Sequence, residues 1–420
     1  MALKMATTLN INLLQTIEAI IRNYESKVKE DRRIASRLLQ ILADYAAASH
    51  NVPERAEIKA LFEKVASTGE KIVEEYKRNG EFSDEQIVLS YLMNIYKSIG
   101  EFEAVNDMRL RQASSLVRQA ESVPSYLLKS EFLESALRIY AEIGKKDKIE
   151  DLKSRVAHAS EQSINEFKII ETTLEIPTKD IDDLIARYTG LSPFDSIAKI
   201  VSDENFVPRL KTLELEVEEI RKKNLISSIF SKKIIDDGLP RRTVTTDTEK
   251  IEYEIDRHFL LGVNISMIFL NKLLKKLEEG VLTKNALLEY LGGCRNIDPT
   301  SFALIDKALD MHFSKNYIGS IHILVCRIEP ILRNLLKNHS KTPTKYDSSD
   351  KGMDFLLLGG LISDASSFIG EDLTKFLEVT LTQKGENIRN DICHGFIIES
   401  AFTEQLENKL IFIILKLANI

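Results

Sequence analysis

The chain has 420 residues, which sets a prior of two or three domains at about 150 residues each and lets large cores form without covalent staples. It carries 57 basic against 64 acidic side chains, a formal charge of -7, which excludes a generically basic nucleic-acid coat and leaves nucleic-acid contact to a local patch. Gly (17) and Pro (9) are scarce, 29% of residues are charged and Trp is absent, which argues against barrels, sandwiches and Gly-rich phosphate-loop enzymes and predicts an all-α fold.

The first third reads as amphipathic helices, with Ile34, Leu38, Leu39, Leu42, Tyr45 and Ala46 at helical spacing. Two later segments match at a constant offset of 44: Leu89, Ile95, Tyr96, Ile99 and Gly100 against Leu133, Ile139, Tyr140, Ile143 and Gly144. The match runs on from Val105, Asp107 and Met108 to Ile149, Asp151 and Leu152. A Gly between two apolar stripes at this period predicts stacked helix hairpins of tetratricopeptide type, the Gly supplying a left-handed turn. Arg33–Ala66 is a weaker third copy, and residues 1–165 are taken as the repeat region. Two unrelated hairpins with similar caps remain the alternative.

Residues 166–250 read as a helical continuation broken by Pro177, Pro193 and Pro208, with a strongly charged helix at Leu210–Asn224. Turn formers and a Thr-rich run make Ser231–Lys250 a long loop or linker. Residues 251–420 are expected to be a helical bundle with its lead-in helices. Its first helix is Ile251–Glu279, and Asp298-Pro299-Thr300-Ser301 marks a helix start leading into Ser301–Phe313. A long helix follows from Tyr317 to about Asn338, with Pro330 as a candidate kink because it removes one backbone donor. Then come a polar loop at His339–Lys351, helices at Met353–Leu361 and Leu373–Thr382, a Gly385-initiated helix through Ile397, and an apolar helix ending at Ile420.

Three widely spaced cysteines, Cys294, Cys326 and Cys393, contain no CxxC and fit free thiols in a reducing compartment. Met1–Leu14 lacks the apolar core of a signal peptide, and neither Phe259–Leu274 nor Leu410–Ile420 suits a membrane span. A soluble cytoplasmic protein with no membrane contact is expected.

Of the seven histidines, His50, His158, His258, His312 and His322 have no convincing partner at ligand or triad spacing and are read as surface or satisfied core histidines, and no phosphate loop, HExxH or Gly-x-Ser-x-Gly occurs. The other two follow Arg-Asn pairs: Arg333-Asn334 before His339, and Arg389-Asn390 before His394. An Arg, an adjacent polar residue and a His four to six residues on resembles the signature of the HEPN superfamily, helical domains that include many metal-independent RNases. The second copy is favoured. Gly385-Glu386-Asn387-Ile388-Arg389-Asn390-Asp391-Ile392-Cys393-His394-Gly395 resembles the Gly-x-Asn-Leu-Arg-Asn-x-x-x-His-Gly stretch of an uncharacterised HEPN-like family with long helical N-terminal regions. Upstream, Ile328-Glu329-Pro330-Ile331-Leu332-Arg333 resembles its Leu-Glu-x-x-Leu-Arg helix, which makes Glu329 and Arg333 supporting residues. The resemblance covers roughly residues 300–400. Pro330 and Cys393 depart from it.

What the resemblance implies is a metal-independent endoribonuclease without cofactor, with Arg389, Asn390 and His394 at the site and a defence or toxin role as an analogy at fold level. The chemistry stands on its own terms. RNA carries its nucleophile in the 2′-OH, histidine can serve as acid or base near neutrality, and a guanidinium stabilises the phosphorane. The products would be a 2′,3′-cyclic phosphate and a 5′-hydroxyl. At about 100° per residue Asn390 and His394 share a helix face, whereas Arg389 and His394 lie about 140° apart. In the resembled superfamily two protomers pair their motifs across a cleft, so a homodimer through the C-terminal domain is expected. Lys337, Lys341 and Lys345 are candidate RNA contacts, against the plainer reading of a solvated loop that Asp347 and Asp350 weaken as a patch; Arg241-Arg242 is a weaker candidate. Arg389 pairing with Glu329 or Glu386, and His394-Gly395 ending a helix, give the motif a purely structural alternative. The competing function is a non-catalytic protein whose repeats bind a partner and whose C-terminal bundle dimerises.

Overall fold

The computed structural model describes residues 13–48, 56–167, 175–188, 190–224, 232–236, 239–347 and 352–420. The fold is all-α, 80% helical. The chain divides into two compact units, Met1–Glu171 with Lys233–Arg242, and Thr172–Lys232 with Thr243–Ile420.

The first unit is a run of helices: α1 (Leu13–Glu30), α2 (Arg32–Ala48), α3 (Ala56–Asn79), α4 (Phe82–Ser98), α5 (Phe102–Ser122), α6 (Tyr126–Glu142) and α7 (Lys146–Ser163). From α3 onward each helix packs on the next, and α2 packs on α4. One apolar core runs from Ile17 to Met108 and a second from Ala113 to Ala159. Gly100 and Gly144, matched in the sequence, both adopt left-handed backbone, at φ 83° and 71°. At each turn the following N–H reaches back to the carbonyl of a tyrosine: Glu101 to Tyr96 at 2.9 Å and Lys145 to Tyr140 at 3.0 Å. This is the paired hydrogen-bond pattern that closes a helix through a left-handed residue. The α3–α4 turn repeats it, with Gly80 at φ 71° and Glu81 N–H on the Tyr76 carbonyl at 3.0 Å. Leu89 and its counterpart Leu133, and Met108 and Leu152, are all buried.

The second unit contains α8 (Thr178–Ala186), α9 (Pro193–Ser202) and α10 (Leu210–Lys223), then the long α11 (Asp247–Glu278), α12 (Lys284–Gly292), α13 (Pro299–Phe313) and α14 (Tyr317–Asn338). It ends with α15 (Leu358–Ile369), α16 (Glu371–Leu381), the seven-residue α17 (Ile388–His394) and α18 (Glu404–Ala418). Helix α18 is apolar around most of its circumference and is the most deeply buried element, from Glu407 through Leu415. It packs on α14 and α11, and α14 also packs on α13, α15 and α17. Helix α14 runs through Pro330 without ending. Asp298 caps α13, its carboxylate accepting from the Ser301 N–H at 3.0 Å. Among the described residues no helix is long and apolar enough to cross a membrane.

Several expected segments differ. Within Ser231–Lys250 the chain forms two paired strands, β1 (Lys232–Asp236) and β2 (Leu239–Val244); the Arg241 and Arg242 side chains lie outside the description. Helix α11 starts at Asp247, earlier than Ile251, because Thr246 and Glu249 form a reciprocal capping box. Downstream of α14, β3 (Thr344–Asp347) pairs antiparallel with β4 (Gly352–Phe355), in register Thr344↔Phe355 and Lys345↔Asp354. The polar loop therefore ends in a strand, and the helix expected from Met353 begins only at Leu358. The helix expected from Gly385 to Ile397 is shortened at both ends, because Asn387 (φ 56°) and Gly395 (φ 74°) are left-handed.

Candidate functional site

Helix α17 is set by its flanks. A Cβ on Gly385 would lie 2.0 Å from the Val379 carbonyl oxygen, so only glycine fits against the end of α16. The Glu386 N–H then donates to that carbonyl at 2.7 Å. Asn387 takes the left-handed position that asparagine tolerates. Its side-chain NH₂ donates to Asp391 Oδ1 at 2.8 Å, and its Oδ1 accepts from Asn390 Nδ2 at 2.8 Å. Gly385, Asn387 and Gly395 thus fix where the short helix starts and stops.

Arg389 crosses from α17 to α14. Its Nε–H donates to Glu329 Oε1 at 2.9 Å and its Nη2 lies 2.8 Å from the same oxygen. Its Nη1 donates to Asn390 Oδ1 at 3.1 Å. The second carboxylate oxygen of Glu329 accepts from Arg333 Nη2 at 2.7 Å. One half-buried carboxylate therefore holds two guanidiniums, and Arg333 also lies over the Phe355 ring of β4 at 5.3 Å. Of the two acids weighed as partners for Arg389, Glu329 takes it. Glu386 instead binds Lys409, at 2.7 and 2.9 Å.

His394 ends α17 with its ring exposed, 6.2 Å from that of Phe396. Among the described residues it makes no hydrogen bond, and neither Arg389 nor Asn390 reaches it. The site lies open on the surface; the cavity of about 430 Å³ behind the motif is lined by Glu386, Asp391, Asn264 and Lys409, not by Arg389, Asn390 or His394.

The first Arg-Asn pair is spent differently. Asn334 donates to the Asn296 carbonyl at 3.2 Å and to Asp298 Oδ2 at 3.1 Å, tying α14 to the start of α13. His339 Nδ1 contacts the Leu335 carbonyl at 2.9 Å and its ring packs on Phe368 at 4.2 Å. Of the three lysines, Lys337 is exposed one turn beyond Arg333, and Lys345 stands on β3 opposite Asp354. Lys341 is turned away, donating to the Asp364 carbonyl at 2.9 Å over the Phe368 ring. His50, Asp350 and Lys351 lie outside the described residues.

His312 is a satisfied core histidine, one of the two readings the sequence allowed, and the structure supplies partners that no local spacing gave. It is buried, with Nδ1 2.7 Å from Glu407 Oε2 and Nε2 3.2 Å from Glu278 Oε1. Burial opposes its charge, but hydrogen bonds to Glu278 and Glu407 and their negative charges outweigh that, and its pKa is raised to about 9. Its partners lie 34 and 95 residues away on α11 and α18, so no local spacing reveals them.

No protein-family model, no curated protein and no solved structure matches the chain.

Proposed function

We propose that the C-terminal unit is a metal-independent endoribonuclease domain of HEPN type, with Arg389, Asn390 and His394 as its working residues. The observation that carries this reading is the exposed, unengaged His394 imidazole at the end of a helix whose first turn anchors Arg389. Glu329 orients the guanidinium and Asn390 supports its outer edge. The remaining N–H groups of Arg389 are donors for a phosphate oxygen.

In this mechanism an imidazole takes the 2′-OH proton, the oxygen attacks the adjacent phosphorus, and a second imidazole protonates the departing 5′-oxygen. Arg389 stabilises the charge that develops on phosphorus. Each chain offers one such histidine, so a second copy meeting the first at α17 supplies the other, as a homodimer through the C-terminal unit. Lys337 and Lys345 are the local positive rim. The N-terminal helices are assigned to a protein partner that triggers or restrains cleavage.

One observation favours the competing reading of an interaction protein that does not cut. Two faces of the Arg389 guanidinium are already occupied by Glu329 and Asn390, as a purely structural arginine would be. RNA degradation in EDTA separates the two. The nuclease reading expects cleavage by wild type and by His339→Ala, and about 100-fold or greater loss in His394→Ala. A folded wild-type chain that cuts no RNA supports the interaction protein, and loss only in His339→Ala moves the site to the first Arg-Asn pair.

A further inference from the structure

The Arg389–Glu329 ion pair brings together two helical faces that each carry a cysteine. Cys326 lies three residues before Glu329 on α14, and Cys393 four residues after Arg389 on α17. Residues three or four apart in a helix share a face, so an ion pair of 2.8 Å one turn away sets the two thiols side by side. Both cysteines are exposed. The third, Cys294, is half-buried just past the end of α12, its thiol donating to the Tyr290 carbonyl at 3.4 Å.

We propose that Cys326 and Cys393 form a dithiol modification site, which small-molecule disulfides such as oxidised glutathione convert into an intrachain disulfide bridging α14 and α17. In the first step one protein thiolate attacks a sulfur of the disulfide, forming a mixed disulfide and expelling one glutathione thiolate. The neighbouring protein thiolate then attacks the protein-side sulfur of that mixed disulfide, forming the Cys326–Cys393 bond and expelling the second glutathione. Two protein thiols are oxidised, one glutathione disulfide is reduced to two thiols, and the two protons end on the departing thiolates or in solvent. The bridge would lock the seven-residue α17, and with it Arg389, onto α14.

The Cys393 thiol lies against that of Cys326. Partial burial pushes it up and the Cys326 neighbour adds to this, while the Arg389 charge works the other way. Because Cys393 must ionise in one of the two steps, bridging should accelerate with rising pH. The site stands apart from RNA cleavage, since its readout is a mass.

The test treats the full chain with oxidised glutathione, blocks remaining thiols with N-ethylmaleimide and measures intact mass, a peptide map and a non-reducing gel. The expected wild-type product has lost two hydrogen masses, retains no glutathione, carries one maleimide on Cys294, links the Cys326 and Cys393 peptides and returns to the dithiol with dithiothreitol. Cys326→Ser and Cys393→Ser should each instead retain one glutathionyl group on the thiol left at the site. A wild-type chain that keeps glutathione without a bridge, bridges through Cys294, joins two chains or does not react overturns the proposal.

Discussion

Glu329 satisfies two guanidiniums at once, and that sets what its loss should do. Glu329→Gln removes the charge between Arg333 and Arg389 and leaves the two cations facing each other. The arginines are partly exposed, so solvent screens the effect, and a loss of about 1 kcal/mol in denaturant unfolding is expected. Arg389 should also lose its fixed orientation. His312 has a pH signature instead. Its pKa rises from 6.5 to about 9 on folding. The sign follows: a raised pKa means the folded state holds the proton more tightly, so this stabilisation is complete below about pH 6.5. It is lost as the pH rises through 9. The contribution is on the order of 3 kcal/mol at most. Wild type should therefore lose stability between pH 6.5 and 9 relative to His312→Gln in parallel urea titrations, and equal pH slopes for the two would refute the assignment. The Arg389–Glu329 pair was one of two weighed from the sequence, but the His312 cluster was not legible there, because a buried ion cluster needs only proximity in space and its members sit on three helices.

At the scale of elements, glycines separate turn strain from crowding. A Cβ at Gly100 or Gly144 meets nothing within 4 Å, so alanine at either position pays only for left-handed backbone, about 1 kcal/mol. Equal losses in thermal unfolding would show the two turns to be energetically equivalent. Gly385→Ala should cost more, about 2 kcal/mol or above, because the Val379 backbone oxygen cannot yield as a side chain does. Gly395→Ala should behave like the open turns. The helices around these points were readable because their apolar residues keep helical spacing: α14 was bounded correctly by that pattern, and the structure adds Asn316 as its cap. The β3–β4 hairpin was not. Thr344, Lys345, Tyr346 and Asp347 carry no inward-facing apolar alternation, and Tyr346, Met353 and Phe355 all point to solvent. A strand pair held by backbone hydrogen bonds leaves little trace in side-chain periodicity. Helix α17 was overextended for the opposite reason, since its ends are set by backbone conformations at Asn387 and Gly395 rather than by a change in polarity.

For the whole molecule, composition was enough to fix the all-α class, and the last helix was legible as apolar, though only the structure shows how deeply α18 is buried. The site was legible as a motif but not as an arrangement. The sequence placed Arg389 and His394 on different helix faces, and the structure describes Arg389 turned to Glu329 while His394 faces solvent. The account of function rests on those two side chains acting on one ribose-phosphate linkage. The most direct measurement compares cleavage of an RNA oligonucleotide with that of the same oligonucleotide carrying a single 2′-deoxy sugar at the cut position, in EDTA, with end groups identified by mass. The account predicts 2′,3′-cyclic phosphate and 5′-hydroxyl ends from the ribose substrate and no cut at the deoxy position. It also predicts about 100-fold slower cleavage by Arg389→Ala and by His394→Ala at unchanged helicity. Cutting at the deoxy position, or unchanged cleavage by His394→Ala, would contradict it.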